Sequence, residues 1–418
     1  MKFLLQKNIP PLWLLAIAAC LSVTLGSSQP AKAASQAELH PKEVTSSYCT
    51  RRGKRWKAAR ANCTRMKRND KPDYLNSDVN PSKLDKEIIE RSRAYMNESD
   101  GPLGLLLIKN GSVTTEQYAG EGNKKSKFSG WSITKSLTSL AVGKAVCNGL
   151  FDLNTPAGKI VPEFQVNNYG KSTVRQILMM SSGAYWTSFV GWGTLKNGGF
   201  GKRWASHKEL AGKPFPEPDR PISAGQVTVS EILWGKYWNL IENKNVAEPG
   251  KYFVYKGADS MALSKIVEKA SGMSLGAYFE KEVWQSIKPG QKAFWRADIE
   301  GSSMGNSGFN ASLRDWGRLA IWILVERKKP GCFGNYLRAA TSKQIDNKRT
   351  PSKNYPSREF KGYGYQFWVE NENFYGFCGK GYVGQTFCLN PETEKILIKF
   401  SRKITPGLEG IFNDWNAE

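Results

Sequence analysis

Apolar positions along this chain change their period several times, and each change marks an element. Leu84 to Met96 (LDKEIIERSRAYM) repeats apolar residues at helical spacing and reads as an amphipathic helix. Gly104 to Tyr118 reads as a hairpin: an apolar run, a Lys109-Asn110-Gly111 turn and a polar-alternating return strand. From Ser132 the apolar residues fall at Ile133, Leu137, Leu140 and Ala141, one face of a buried helix running to Gly149. Ser129 and Gly130 suit a helix start at about Ser132. Leu150 to Pro162 is a loop-rich connection. Ser172 to Met180 opens on a capping Ser or Thr, reads as a helix, and stops at Ser181-Ser182-Gly183. Met261, Ile266, Val267 and Ala270 mark one more helix.

The helix that begins at Ser132 carries the one Ser-x-x-Lys of the chain, Ser132 to Lys135. A spacing of three puts the hydroxyl and the amine on one face of the first turn. Free amides at a helix start are partly positive, so they favour an oxyanion near the Ser132 N–H and disfavour an ammonium on Lys135. Burial pushes a lysine the same way, towards the neutral amine that acts as a base. The chemistry implied is a serine nucleophile activated by lysine.

Composition narrows the setting. The chain has 418 residues, 40% hydrophobic and 12% aromatic, enough for a large core. A formal charge of +23 raises the question of anionic partners. Zinc-finger spacing, an RNP-type aromatic signature and a phosphate-binding Gly-x-x-x-x-Gly-Lys loop are all lacking, so no nucleic acid partner and no metal site are expected. Residues 1–33 read as a secretory signal, with Lys2 and Lys7, an apolar stretch from Leu12 to Leu25 and Ala31-Lys32-Ala33 as the cleavage site. A lipoprotein-type cut before Cys20 and an uncleaved anchor are the alternatives. Export then permits disulfides, and Cys49–Cys63 and Cys378–Cys388 are the expected local pairs. Cys147, on the Ser132 helix, is expected as a buried free thiol. Residues 34–83 form a basic extension: Arg51 to Lys71 holds ten Lys or Arg against the single acid Asp70. It reads either as a solvated face or as a patch for an anionic cell-wall polymer or membrane surface.

Several stretches in order resemble the serine hydrolases of the penicillin-recognising, or serine β-lactamase, superfamily. They are SITKSLTSLAVGKAV, STVRQILMMSSG, EPGKYFVYKGADSMALSKIVEKASGMSL, GFNASLRDWGRLA and GYVGQTFCLNPE, which with the hairpin in front run from Gly104 to Glu392. The likeness is greatest to the 6-aminohexanoate-dimer hydrolase and class C β-lactamase-like branch. It implies an α/β fold: a twisted antiparallel sheet with the terminal helices on one face and a mostly helical subdomain inserted. The hairpin would come first in the sheet and strands of 374–402 last, with 84–418 as the hydrolase domain.

The resemblance also implies roles. Tyr255, in Phe253-Val254-Tyr255-Lys256-Gly257, matches the tyrosine that relays protons between nucleophile and leaving group. The family pattern there is Tyr-x-Asn or Tyr-x-Ser, so Gly257 removes a side chain that contacts substrate. Tyr237-Trp238-Asn239 is the literal Tyr-x-Asn and the runner-up. Where relatives carry Lys-Thr-Gly or His-Thr-Gly, this chain has Gly379-Lys380-Gly381-Tyr382. By that match the Tyr382 N–H is the second oxyanion donor beside the Ser132 N–H. Gly381 lets backbone approach substrate, and Lys380 either reads a substrate carboxylate or is solvated. Asn310 matches a substrate-binding position, or caps the helix that starts near Ser312. Trp131, Tyr185, Trp186, Trp192 and Trp204 are candidate wall aromatics.

A Ser-His-Asp triad is disfavoured, because the chain holds only His40 and His207 and no Gly-x-Ser-x-Gly elbow. The function expected is an exported serine hydrolase acting on an ester or amide through Ser132, Lys135 and Tyr255, with no cofactor. A small-molecule or short-peptide acyl substrate fits, with β-lactam or D-Ala peptide chemistry as the alternative. A non-catalytic cell-wall sensing module is the reading from another class.

Overall fold

The computed structural model describes residues 62–184, 228–234, 247–298, 300–347, 359–371 and 374–417. The expected signal, Cys49, His40, His207, Tyr237 and the aromatics Tyr185, Trp186, Trp192 and Trp204 lie outside them.

An eight-stranded antiparallel sheet forms the frame. Its strands are β2 (Pro102–Lys109), β3 (Ser112–Tyr118), β7 (Ile345–Asp346), β8 (Phe360–Tyr363), β9 (Trp368–Asn371), β10 (Phe374–Gly381), β11 (Gln385–Asn390) and β12 (Lys395–Ser401). The spatial order is β3-β2-β12-β11-β10-β9-β8-β7, so the N-terminal hairpin sits beside the last strand of the chain. The hairpin turns at Asn110 and Gly111, both with positive φ (49° and 77°), as a tight two-residue turn requires.

β2 is apolar from Pro102 to Ile108 because both faces of the sheet are covered. Leu105 and Leu107 face one side and Leu106 and Ile108 the other. The first side packs against α1 (Lys83–Glu98) and against the C-terminal helix Leu408–Asn416. Asp85 fastens that layer. It caps the start of α1 with Ser82, pairs with Lys109 of β2 at 2.9 Å and accepts the indole N–H of Trp415 at 2.7 Å. Those partners outweigh burial and hold its carboxyl well below the usual carboxylate range.

The second side of the sheet packs on α2 (Thr134–Cys147), with Ile133, Leu137, Leu140 and Ala141 all fully buried as the periodicity predicts. α3 (Val174–Leu178), α4 (Gly257–Ser271), α5 (Leu313–Lys328) and α6 (Cys332–Ala340) complete the helical part; the C-terminal helix is α7. Thr173 caps α3 and forms a capping box with Gln176.

A smaller four-stranded sheet was not foreseen from the pattern. It has the order β1-β5-β6-β4, with β1 (Asn62–Met66), β4 (Phe128–Ser129), β5 (Ala293–Ala297) and β6 (Phe309–Ala311). β1 belongs to the basic extension and pairs with β5 from Asn62 opposite Ala297 to Met66 opposite Ala293. The extension from residue 62 on is therefore built into the fold.

Two disulfides join described residues. Cys378–Cys388 links β10 to β11, the local pair expected from the sequence. Cys147 is not a free thiol: it is bonded to Cys332, tying the end of α2 to the start of α6. Cys63 is disulfide-bonded as well. Such bonds belong to an oxidising environment. Among the described residues no helix is long and apolar enough to cross a membrane.

Candidate active site

β4 delivers the chain to the site. Ser129 pairs with Asn310 of β6, and the Gly130 N–H donates to the Phe309 carbonyl at 3.0 Å. Trp131 to Ile133 then form a single tight turn that leads into α2. Trp131 takes a φ of +46°, a left-handed conformation that costs a bulky residue about 1–3 kcal/mol and is met at functional sites. Its ring is buried against Tyr382, with centroids 5.7 Å apart, and the Arg296 guanidinium lies 5.7 Å from its centre.

The residue after this strained one is Ser132, half-buried at the head of the helix. Lys135 is 1% exposed. Its Nζ donates to Ser132 Oγ at 2.9 Å and to the main-chain carbonyl of Asn306 at 2.9 Å. The same amine lies 5.1 Å from the centroid of the Tyr255 ring. The structure thus brings Ser132, Lys135 and Tyr255 together. The Tyr255 ring is itself held, tilted against Trp368 at 5.2 Å and edge-on to Tyr363 at 6.2 Å.

Behind Tyr255 lies a buried polar network that the sequence did not suggest. Lys256 and Asp259 are both fully buried, with Nζ 3.6 Å from Oδ1. Lys256 also donates to the Ala184 carbonyl at 2.8 Å, and Asp259 accepts from Tyr169 at 2.8 Å and Ser182 at 2.7 Å. Burial drives both groups towards their neutral forms, Lys256 down and Asp259 up, against their mutual attraction. The network fixes the start of α4 to the Ser182–Ala184 segment, and so fixes the backbone that carries Tyr255.

β10 closes the other side. Side chains alternate along it, so Gly379 and Gly381 face the Ser132 turn and Lys380 faces away. A Cβ on Gly381 would lie 2.5 Å from the Gly130 carbonyl oxygen, and one on Gly379 would lie 3.0 Å from Ile133 Cγ2. Only glycine lets the strand rest this closely on the turn. Tyr382 follows at once and opens a turn in which Val383 and Gly384 have φ of 53° and 87°. Lys380 pairs with Glu359 at 3.1 Å and Glu409 at 3.6 Å, on the α7 side of the sheet. The structure does not bring it to Ser132. Asn310 is buried on β6 and donates to the Gly308 carbonyl at 2.7 Å; the cap of α5 is Ser312, which accepts from the Asp315 N–H. Among the described residues no group of His, Cys, Asp or Glu could hold a metal ion.

A family model described as Beta-lactamase matches residues 101–416. The chain belongs to the beta-lactamase family. It is a serine hydrolase. The 6-aminohexanoate-dimer hydrolase of Paenarthrobacter ureafaciens is 22% identical over 304 residues, 71% of each chain. A solved structure from Bacillus anthracis, provisionally assigned as a 6-aminohexanoate-dimer hydrolase, superposes with a TM-score of 0.64 at 18% identity, covering 90% of this chain and 96% of that one. The octameric penicillin-binding protein homologue of Pyrococcus abyssi gives 0.56 at 20% identity, covering 80% and 76%. At such identities the solved structures speak to the beta-lactamase fold alone.

Sequence reasoning did not single out Asn306, whose carbonyl accepts from Lys135 in this hydrolase. Its one signal was a polar Asn306-Ser307-Gly308 run, which reads as an ordinary loop.

Proposed function

We propose that the protein is an exported hydrolase that cleaves an ester or short linear amide through a Ser132 acyl-enzyme. The observation that carries the reading is the buried Lys135 amine bonded to Ser132 Oγ beside the Tyr255 ring. Neutral Lys135 takes the Ser132 proton as Oγ attacks the substrate carbonyl carbon. The oxygen gains the carbonyl electron pair and is stabilised by the Ser132 and Tyr382 amides. Collapse breaks the bond to the leaving group, which takes a proton from Tyr255, itself re-protonated from Lys135. Water then attacks the acyl carbon and gives a proton to Lys135; collapse breaks the bond to Ser132 Oγ, which takes that proton back from Lys135 as the acid leaves.

Gly257 and the missing Lys-Thr-Gly weigh against a dedicated β-lactam enzyme, and the 6-aminohexanoate dimer named for the relative is a short substrate. The exposed Arg65, Lys67, Arg68 and Lys71 support a second, salt-sensitive contact with an anionic cell-wall or membrane surface.

The deciding experiment is labelling of the mature protein with a fluorophosphonate, followed by peptide mapping and assays on p-nitrophenyl butyrate and nitrocefin. Label on Ser132 with ester turnover is the expected result. Nitrocefin turnover above ester turnover would favour the β-lactamase reading. A folded protein that takes no label would favour a binding module. The oxyanion role is checked separately: Gly381→Ala forces β10 off the Gly130 carbonyl and should lower kcat about 10²-fold, with the thermal midpoint read in parallel.

A further inference from the structure

By the resemblance, the Tyr-x-Asn or Tyr-x-Ser pattern would put a polar side chain two residues after Tyr255, and this chain has Gly257 there. The structure shows what stands in the vacated space. A Cβ on Gly257 would lie 3.0 Å from Asn306 Nδ2 and 3.5 Å from Asn306 Cβ. Gly257 opens α4 without a left-handed φ, so a side chain would suit its backbone. The obstacle is the Asn306 carboxamide.

Asn306 is itself fixed on the nucleophile helix. Its carbonyl accepts from Lys135 Nζ at 2.9 Å. The preceding carbonyl, of Gly305, accepts from Thr138 Oγ1 at 2.7 Å, and the Phe309 N–H donates to Thr134 Oγ1 at 3.2 Å. Three polar side chains from the first turns of α2, Thr134, Lys135 and Thr138, therefore grip this loop, and the Asn306 side chain, 4% exposed, rises from a rigid base.

We propose that Asn306 is a positioning residue of the acyl-transfer site. Its carbonyl orients Lys135, and its carboxamide does from the loop what the side chain after the tyrosine does in the Tyr-x-Asn pattern. Gly257 and Asn306 are then a reciprocal pair: one position brings the amide and the other makes room for it. The inference rests on the Ser132–Lys135–Tyr255 reading and adds to it.

The test compares wild type, Asn306→Leu, Gly257→Asn and Gly257→Asn/Asn306→Gly, reading kcat and KM for p-nitrophenyl butyrate with Ser132 labelling as control. All four keep the main-chain carbonyl at 306. Asn306→Leu fills the same volume without the amide, and its kcat should fall about 10²-fold with little change in KM. Gly257→Asn alone meets Asn306 and should fall at least as far. The double variant regains a carboxamide from the other side and should return to within about tenfold of wild type, a strongly non-additive cycle. Wild-type kinetics for Asn306→Leu would overturn the proposal, as would a double variant no better than the worse single one. If Asn306→Leu does not fold, Asn306→Asp replaces it, with the same loss of kcat expected and unchanged kinetics overturning the proposal. An unlabelled wild type would overturn the acyl-transfer reading itself; a labelled wild type with uncoupled variants overturns this inference alone.

Discussion

Ser132→Ala is expected to abolish fluorophosphonate labelling and to lower kcat about 10⁴-fold or more while the protein remains folded. Ser132 is half-buried, and its hydroxyl accepts from Lys135 of its own turn, so truncation removes chemistry and little packing. Lys135→Met should reach a comparable loss by a different route. It keeps the side-chain volume but removes both the base and the donor to the Asn306 carbonyl, leaving a buried acceptor that costs about 1–3 kcal/mol. The two residues act on one proton, so the double variant should be no slower than the worse single variant. Kinetics on p-nitrophenyl butyrate beside urea unfolding separate the chemical loss from the structural one. Full activity in either variant would remove Ser132 and Lys135 from the mechanism.

Tyr255→Phe is expected to lower kcat about 10³-fold on an alkyl amide and much less on a p-nitrophenyl ester. Phenylalanine keeps the ring contacts with Trp368 and Tyr363, so stability should change little. What goes is the phenol that the proposed mechanism uses to protonate the leaving group. An alkylamine must be protonated to depart, whereas p-nitrophenolate departs as the anion, so the loss should grow with the basicity of the leaving group. A series of substrates sharing one acyl group and differing in leaving group reads this directly. An equal loss across the series would make Tyr255 a packing residue.

Much of the frame was legible because it rests on local pattern. The 102–118 hairpin, α1 and the Ser132 helix follow from period and turn chemistry; α1 buries the face that its spacing marks, while β2 and the Ser132 helix are buried on every side, polar residues included. The small sheet was not legible. β4 and β6 have two and three residues, too short to show any alternation. In the site, Ser132 and Lys135 could be read from one helical turn, and Tyr255 from resemblance. Asn306 could not, because it reaches Lys135 through a backbone carbonyl, an atom that every residue possesses. Cys147–Cys332 was missed for a related reason: 185 residues separate the partners, and only the packing of α2 against α6 brings them together. Lys380 looked like a substrate contact until the pleat of β10 turned it to the other face.

The two bridges between described residues join the ends of the elements that frame Ser132. Cys147–Cys332 closes a very long loop, and in the chain-entropy view a bridge of that span is worth about 5 kcal/mol. Cys378–Cys388 lies immediately before the glycines that rest on the Ser132 turn. The conditions of preparation are therefore part of the enzyme's definition. A chain made in a reducing bacterial cytosol, or kept in buffer with dithiothreitol, lacks both staples. Its loss of activity would be misread as the absence of a substrate. Screening should start from material secreted or refolded under oxidising conditions, with thiol content measured before any compound is declared inert.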